Sequence, residues 1–394
     1  MRGITFLQPR KVCFGRGALQ DCGREIAAPG QRLHILTSNA CDRYAHQLGR
    51  ELQSRRIGCT IDTSVDREPT IKGFRAVLES ARAAQPNCIV GIGGGSVLDT
   101  AKLVAAFLES TQPLEETFGI GLLKGRSTGL VCLPTTAGTG SEVSPNAILL
   151  DEVEQLKKGI VSPFLVPDAA YIDPLLMVTL PKQATATTGI DAMTHCIEAY
   201  TNKFAHPTVD LYALEGVRLS AHHLARAVDA PSDLDAREGM ALASLYGGLC
   251  LGPVNTAAVH ALAYPLAGMF HMAHGLSIAL LLPHVFAFNI AAAPERHAAI
   301  AQALGVPAAA SETDTGLRGA ARLYELAMQC GVEMSLSAHG ISEASIGTMS
   351  AAAMKVERLL KNNPREVSIK HAERIYRRAF RGAAPTIDDL CEFS

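Results

Sequence analysis

Asp191 and His195 stand four residues apart in the stretch TTGIDAMTHCIEAY, residues 187–200. The stretch reads as a helix, and on a helix that spacing stacks two side chains on one face, with Cβ atoms roughly 5–6 Å apart. A carboxylate and an imidazole so placed can share one divalent cation; taken alone, they equally form a surface hydrogen bond. A second stretch, VHALAYPLAGMFHMAHGLSIALLLP at 259–283, sets His260, His271 and His274 in apolar surroundings. On one continuous helix His260 and His274 would lie about 21 Å apart at 1.5 Å per residue. Two ligands of one ion each lie about 2.1 Å from it, so the chain must turn back between them if both bind. Pro265 and Gly268 are the expected break. The sequence thus permits Asp191, His195, His260 and His274 to meet around one cation.

Three imidazoles and a carboxylate suit Fe(II) or Zn(II). Such an ion takes the pKa of a bound water from about 15.7 to roughly 7 in favourable sites, and an alcohol responds in the same sense. Two glycine-rich segments are candidates for holding a phosphate group. CIVGIGGG at 88–95 reads as a strand ending in glycines, and SVLDTAKLVAAFL as the helix that follows. Glycines let a phosphate approach the backbone, and the helix N-terminus adds N–H groups and partial positive charge. Ser96 is expected to cap this helix, with Asp99 completing a capping box. The pattern is not GxGxxG, and a tight turn is its plain alternative. PTTAGTGSEVS at 134–144 places the hydroxyls of Thr135, Thr136, Thr139 and Ser141 on a loop after a strand. Such a loop wraps a phosphate, a ribose or a base, or is simply a polar turn.

The elements that must position these residues come in two textures. Strands at 33–38, 59–66, 88–95, 128–136 and 169–173 alternate with helices at 40–55, 71–84 and 96–108, the pattern of a parallel sheet covered by helices. From Ala184 onward helical periodicity dominates. The expected division is an α/β half over 1–180 and an all-helical half over 181–394. Residues 306–318, rich in Ala, Ser and Thr, read as a loop.

Composition narrows the classes. The chain of 394 residues has 36 basic against 38 acidic residues and no long run of one sign, which argues against nucleic acid or a membrane surface as partner. The pair Lys157 and Lys158 reads as a solvated face. Ten cysteines without a CxxC pair point to free thiols. The N-terminus lacks a signal-peptide core, and no apolar run is expected to reach the roughly 18 residues of a membrane span. A cytoplasmic location is the expectation.

GIDAMTHCIEAY together with HALAYPLAGMFHMAHG, GGGSVLDTAK, PTTAGTGSEVS and NPREVSIKHAERIY resembles the iron-containing (group III) alcohol dehydrogenase family, over nearly the whole chain. The resemblance implies a Rossmann-like N-terminal domain and an all-α C-terminal domain, the dehydroquinate synthase-like fold. It implies an Asp-His-His-His metal site at Asp191, His195, His260 and His274, in a cleft between the domains. It implies that Gly94, Gly95 and Ser96 bind the pyrophosphate of NAD or NADP. Thr135, Thr136 and Thr139 are implied beside the cofactor, and Lys158 near it, while Asp99 either caps its helix or also reaches the ribose. A small alcohol or aldehyde substrate and a homodimer follow from the same resemblance. Two departures stand out. Ser38 occupies the end of the strand where the family often has an Asp, and a serine does not repel a 2′-phosphate as a carboxylate would. Tyr264 replaces a second histidine and either donates a hydrogen bond or fills space; His271 either serves instead or is a core or cleft-lining histidine. Glu198 is either a partner of a metal ligand or a surface glutamate. A lyase of the dehydroquinate synthase type and a non-catalytic cofactor-binding protein are the competing readings; the metal stretches lack the basic residues a phosphorylated lyase substrate needs.

Overall fold

The computed structural model describes residues 2–28, 30–65 and 68–386, which form two compact units. One unit is Thr5–Leu180; the other begins at Pro181 and includes the first residues of the chain.

In the first unit β1 (Lys11–Phe14), α1 (Ala18–Glu25), β2 (Arg32–Thr37), α2 (Asp42–Ser54), β3 (Gly58–Asp62), α3 (Ile71–Ala84), β4 (Cys88–Gly93) and α4 (Gly95–Phe107) alternate. There follow β5 (Gly119–Ile120), β6 (Gly129–Pro134), β7 (Asn146–Asp151), β8 (Leu156–Val161) and β9 (Ala169–Ile172). Six strands form a parallel sheet in the order β1-β9-β6-β4-β2-β3. Successive residues of a strand face opposite sides. Accordingly Ile89 and Leu130 join one hydrophobic cluster with Phe74, Val104 and Phe107 of α3 and α4. Val90 and Val131 join another with Leu19, Leu48 and Leu52 of α1 and α2. Burial on both faces explains why β4 and β6 are aliphatic without alternation. The strand read over 59–66 ends at Asp62; Asp66 lies outside the described residues.

A second sheet, β5-β8-β7, was not expected from the sequence. Its hairpin strand LKKGIV carries the two lysines read as a solvated face. Instead Lys157 is buried and paired with Glu68, and Lys158 lies 2.8 Å from both Asp151 Oδ2 and Glu154 Oε1. Those neutralising partners come from outside the strand, where a linear pattern does not show them.

The second unit consists of α5 (Lys182–Thr201), α6 (Pro207–Asp229), α7 (Leu234–Leu251), α8 (Ala258–Phe270), α9 (His274–Asn289), α10 (Pro294–Ala303), α11 (Glu312–Gln329), α12 (Ile346–Met354), α13 (Glu357–Leu360) and α14 (Ile369–Arg381). α5 is buried on nearly every side and packs against α6, α7 and α9. The loop expected over 306–318 ends early, because Ser311 caps α11 by accepting from the Asp314 N–H at 3.0 Å. The expectation that no segment reaches membrane-spanning length is also corrected. His274–Ala292 has the length and a mean hydropathy of 1.8, yet 78% of it is buried among the other helices, as a core helix is.

Candidate metal centre and dinucleotide site

α5 presents Asp191 and His195 on one face, both buried. The break that returns the chain lies neither at Pro265 nor at Gly268, since α8 runs through both. It lies at His271, whose φ of 53° puts it in the left-handed region and ends α8; α9 begins three residues later at His274. Gly275 seats the start of α9 on α5: a Cβ there would stand 2.6 Å from the Thr187 carbonyl oxygen. Only glycine allows that approach, and it carries His274 to Asp191.

The carboxylate oxygen Asp191 Oδ1 is the common neighbour of three imidazoles. It lies 3.4 Å from His260 Nε2, 3.7 Å from His195 Nε2 and 3.8 Å from His274 Nε2. Four donors placed tetrahedrally about 2.1 Å from one ion stand roughly 3.4 Å apart; the ligand atoms of Asp191, His195 and His260 all lie within 4.8 Å of one another, which suits a single cation, and His274 approaches the group through Asp191. A second observation agrees. Asp191 Oδ1 and His260 Nε2 are buried and neither makes a hydrogen bond to protein; buried polar atoms need a partner. His195 and His260 stack with centroids 4.8 Å apart. His274, with 28% of its side chain exposed, forms the open edge of the cluster. Burial alone would raise the Asp191 carboxyl, but His195, His274 and His260 hold it well below the usual carboxylate range. Burial would lower His260, yet Glu198 and Asp191 push it up to about 9. A cation must therefore displace a proton there, which makes its affinity pH-dependent.

In the other unit the candidate dinucleotide residues gather at the carboxyl ends of three neighbouring strands, β2, β4 and β6, where parallel sheets bind ligands. Ser38 follows β2 and is half-buried, Gly94 and Gly95 follow β4, and Thr135 follows β6. The two glycine-rich segments touch. The Thr135 N–H donates to the Gly93 carbonyl at 3.0 Å, and a Cβ on Gly95 would stand 2.5 Å from Thr139 Cγ2. Thr136 is the nearest neighbour of Gly94, at 3.2 Å by the same test. The missing side chains thus let the two segments close on each other.

Residues 9–174 match the family model for iron-containing alcohol dehydrogenase, and residues 185–380 match that of the Fe-containing alcohol dehydrogenase family, C-terminal. The chain belongs to the iron-containing alcohol dehydrogenase family. It is 34% identical to a 1,3-propanediol dehydrogenase of Klebsiella pneumoniae, over 96% of this chain and 99% of that one. It is 33% identical to a choline dehydrogenase of Bacillus subtilis (strain 168), over 97% and 96%. The crystal structure of a 1,3-propanediol oxidoreductase superposes with a TM-score of 0.90 at 34% identity, covering 96% of this chain and 100% of that one. The chain is accordingly an NAD(P)-linked alcohol dehydrogenase, and its family uses a metal with a nicotinamide dinucleotide.

Within this iron-type dehydrogenase several expected roles change. Ser96 does not cap α4: the N-cap is Gly94, and no side chain bonds there. Asp99 completes no capping box. Its Oδ1 accepts from Ser141 Oγ at 2.5 Å and its Oδ2 from the Ile148 N–H at 2.9 Å, so it braces the threonine loop and β7. Beside it Lys102, which the sequence reading passed over, is fully buried. Its Nζ donates to the Ser144 carbonyl at 2.9 Å and the Asn146 carbonyl at 2.7 Å, 4.0 Å from Asp99 Oδ1. A lone lysine inside an apolar helical run, three residues after an aspartate, was the available signal. Glu142 is buried in the same loop, and burial pushes it up to about 7. Lys158 makes its ion pairs with Asp151 and Glu154, at 2.8 Å each.

Tyr264 is buried on α8 against Ala261, Val356 and Leu359, with its ring centroid 6.5 Å from that of His274. It packs beside His274. His271 is exposed at the helix end and stands outside the cluster; its part is to make the turn. Glu198 is not a surface glutamate. It is buried, and His260 Nδ1 lies 2.6 Å from its Oε2.

Proposed function

We propose that this dehydrogenase interconverts a small primary alcohol and its aldehyde, with Fe(II), or Zn(II) in its place, held by Asp191, His195, His260 and His274. The observation that carries this reading is the single carboxylate oxygen facing three imidazole nitrogens at 3.4–3.8 Å. An ion there supplies positive charge that eases loss of a hydroxyl proton and stabilises negative charge on an aldehyde oxygen. The chain's own residues set its position: α5 and α8 bury three ligands, and Gly275 seats the fourth. Gly94, Gly95 and the Thr135–Thr139 loop cradle the dinucleotide phosphates, with backbone N–H groups of the first turn of α4 as donors. Ser38 at the end of β2 supports acceptance of NADP as well as NAD, because it brings no charge against a 2′-phosphate. A homodimer belongs to the same proposal.

The relatives' names range over choline and 1,3-propanediol, so the test is a panel of these and linear primary alcohols, each with NAD and with NADP, followed by nicotinamide absorbance. Metal content of the purified protein is measured alongside, and light scattering gives the assembly. No turnover across the panel with stoichiometric metal bound would refute the substrate class. A hundredfold preference for NAD would refute the reading of Ser38.

A further inference from the structure

We propose that Glu198 is the positioning residue of the metal centre, registering α8 on α5 and holding His260 in the one tautomer that offers Nε2 to the ion. The inference rests on the reading of the cluster as a metal site. Asp191, His195 and Glu198 follow one another on α5 at intervals of four and three, so one helical face carries two ligands and the buttress of a third. Glu198 is 3% exposed, and its carboxylate meets three donors. The Val259 N–H reaches Oε1 at 2.6 Å; the Ala257 N–H reaches Oε2 at 3.0 Å, and His260 Nδ1 lies 2.6 Å from Oε2.

Two structural jobs meet in this one group. The first turn of α8 has N–H groups without helical acceptors, and its N-cap residue, Ala257, has no side chain to satisfy them. Glu198 supplies the acceptor from another helix. An ionised carboxylate only accepts, so Nδ1 of His260 carries a proton, and Nε2, 3.4 Å from Asp191 Oδ1, is the nitrogen left to exchange its proton for an ion. A metal-ligating histidine held this way loses roughly 10–100-fold in metal affinity when its outer partner is removed. Glutamine is a poor substitute: it has one accepting oxygen for three donors, and its amide N–H groups favour the opposite tautomer.

The test measures the Zn(II) dissociation constant by chelator competition for the parent, Glu198→Gln, His260→Ala and the double variant. Glu198→Gln should weaken binding roughly 10–100-fold in the parent background and by less than threefold once His260 is gone. A loss under threefold in the parent background, or an equal loss in both backgrounds, would overturn the proposal; the latter marks a general brace rather than a tautomer lock. Should Glu198→Gln not fold, the parent alone still decides. Nitrogen-15 histidine spectra of the Zn(II)-loaded protein must show His260 protonated at Nδ1 and bound through Nε2, and the reverse assignment refutes the inference. A parent that binds no Zn(II) refutes the metal-centre reading itself, an outcome distinct from both.

Discussion

Replacing Asp191 by Asn removes the charge while keeping the shape. In the structure this oxygen faces three imidazoles, at 3.4, 3.7 and 3.8 Å, in a buried setting. Removing one partner of a buried charged cluster costs about 3–5 kcal/mol. At 1.4 kcal/mol per tenfold, that is roughly two to three and a half powers of ten in the metal dissociation constant. The assay is competition with a chelator of known affinity, with Zn(II) as probe and with Fe(II) under anaerobic conditions, on protein shown to be folded by its unfolding midpoint. His274→Ala should lose less than Asp191→Asn, because its side chain is 28% exposed and water can take its place. A folded Asp191→Asn protein that binds metal within threefold of the parent would refute the reasoning, since the shared oxygen could not then be a ligand.

Gly95→Ala should weaken NAD(P) binding and lower stability by about 1–3 kcal/mol, because the added methyl would stand 2.5 Å from Thr139 Cγ2; calorimetric titration and urea unfolding check it. Lys102→Ala should destabilise the chain by about 3–5 kcal/mol, leaving Asp99 and the Ser144 and Asn146 carbonyls buried without their cation; an unchanged urea midpoint would contradict this. His284 is buried with neither ring nitrogen hydrogen-bonded, and burial lowers it to about 3, with Arg378 adding in the same direction. The unfolded chain therefore binds the proton first, at its ordinary value of about 6.5. Stability from this site is complete above about pH 6.5 and is lost as pH falls toward 3. Relative to His284→Leu, the parent's unfolding free energy should drop between pH 6.5 and 4; a constant difference would refute the assignment.

Local periodicity carried much of the architecture. Alternating strand and helix signals up to residue 180 and helical stripes beyond it are properties of short windows, so the α/β class and the helical class were both legible. The sheet β5-β8-β7 was not. Its Lys157 and Lys158 look like surface residues until Glu68, Asp151 and Glu154 are seen beside them. The capping box read at Ser96 and Asp99 failed for a related reason: a local hydrogen bond lost to partners more than forty residues away, Ser141 and Ile148.

By itself the sequence determined that Asp191 and His195 share a face, because helical spacing leaves no choice. It also determined that His260 and His274 require a turn between them if one ion is to hold both. Where the chain turns, at His271, and which residue buttresses His260 were decided only by the tertiary structure. The close seating of Gly275 on Thr187 and the reach of Glu198 to the start of α8 depend on how helices pack, and packing joins residues that no window of sequence contains.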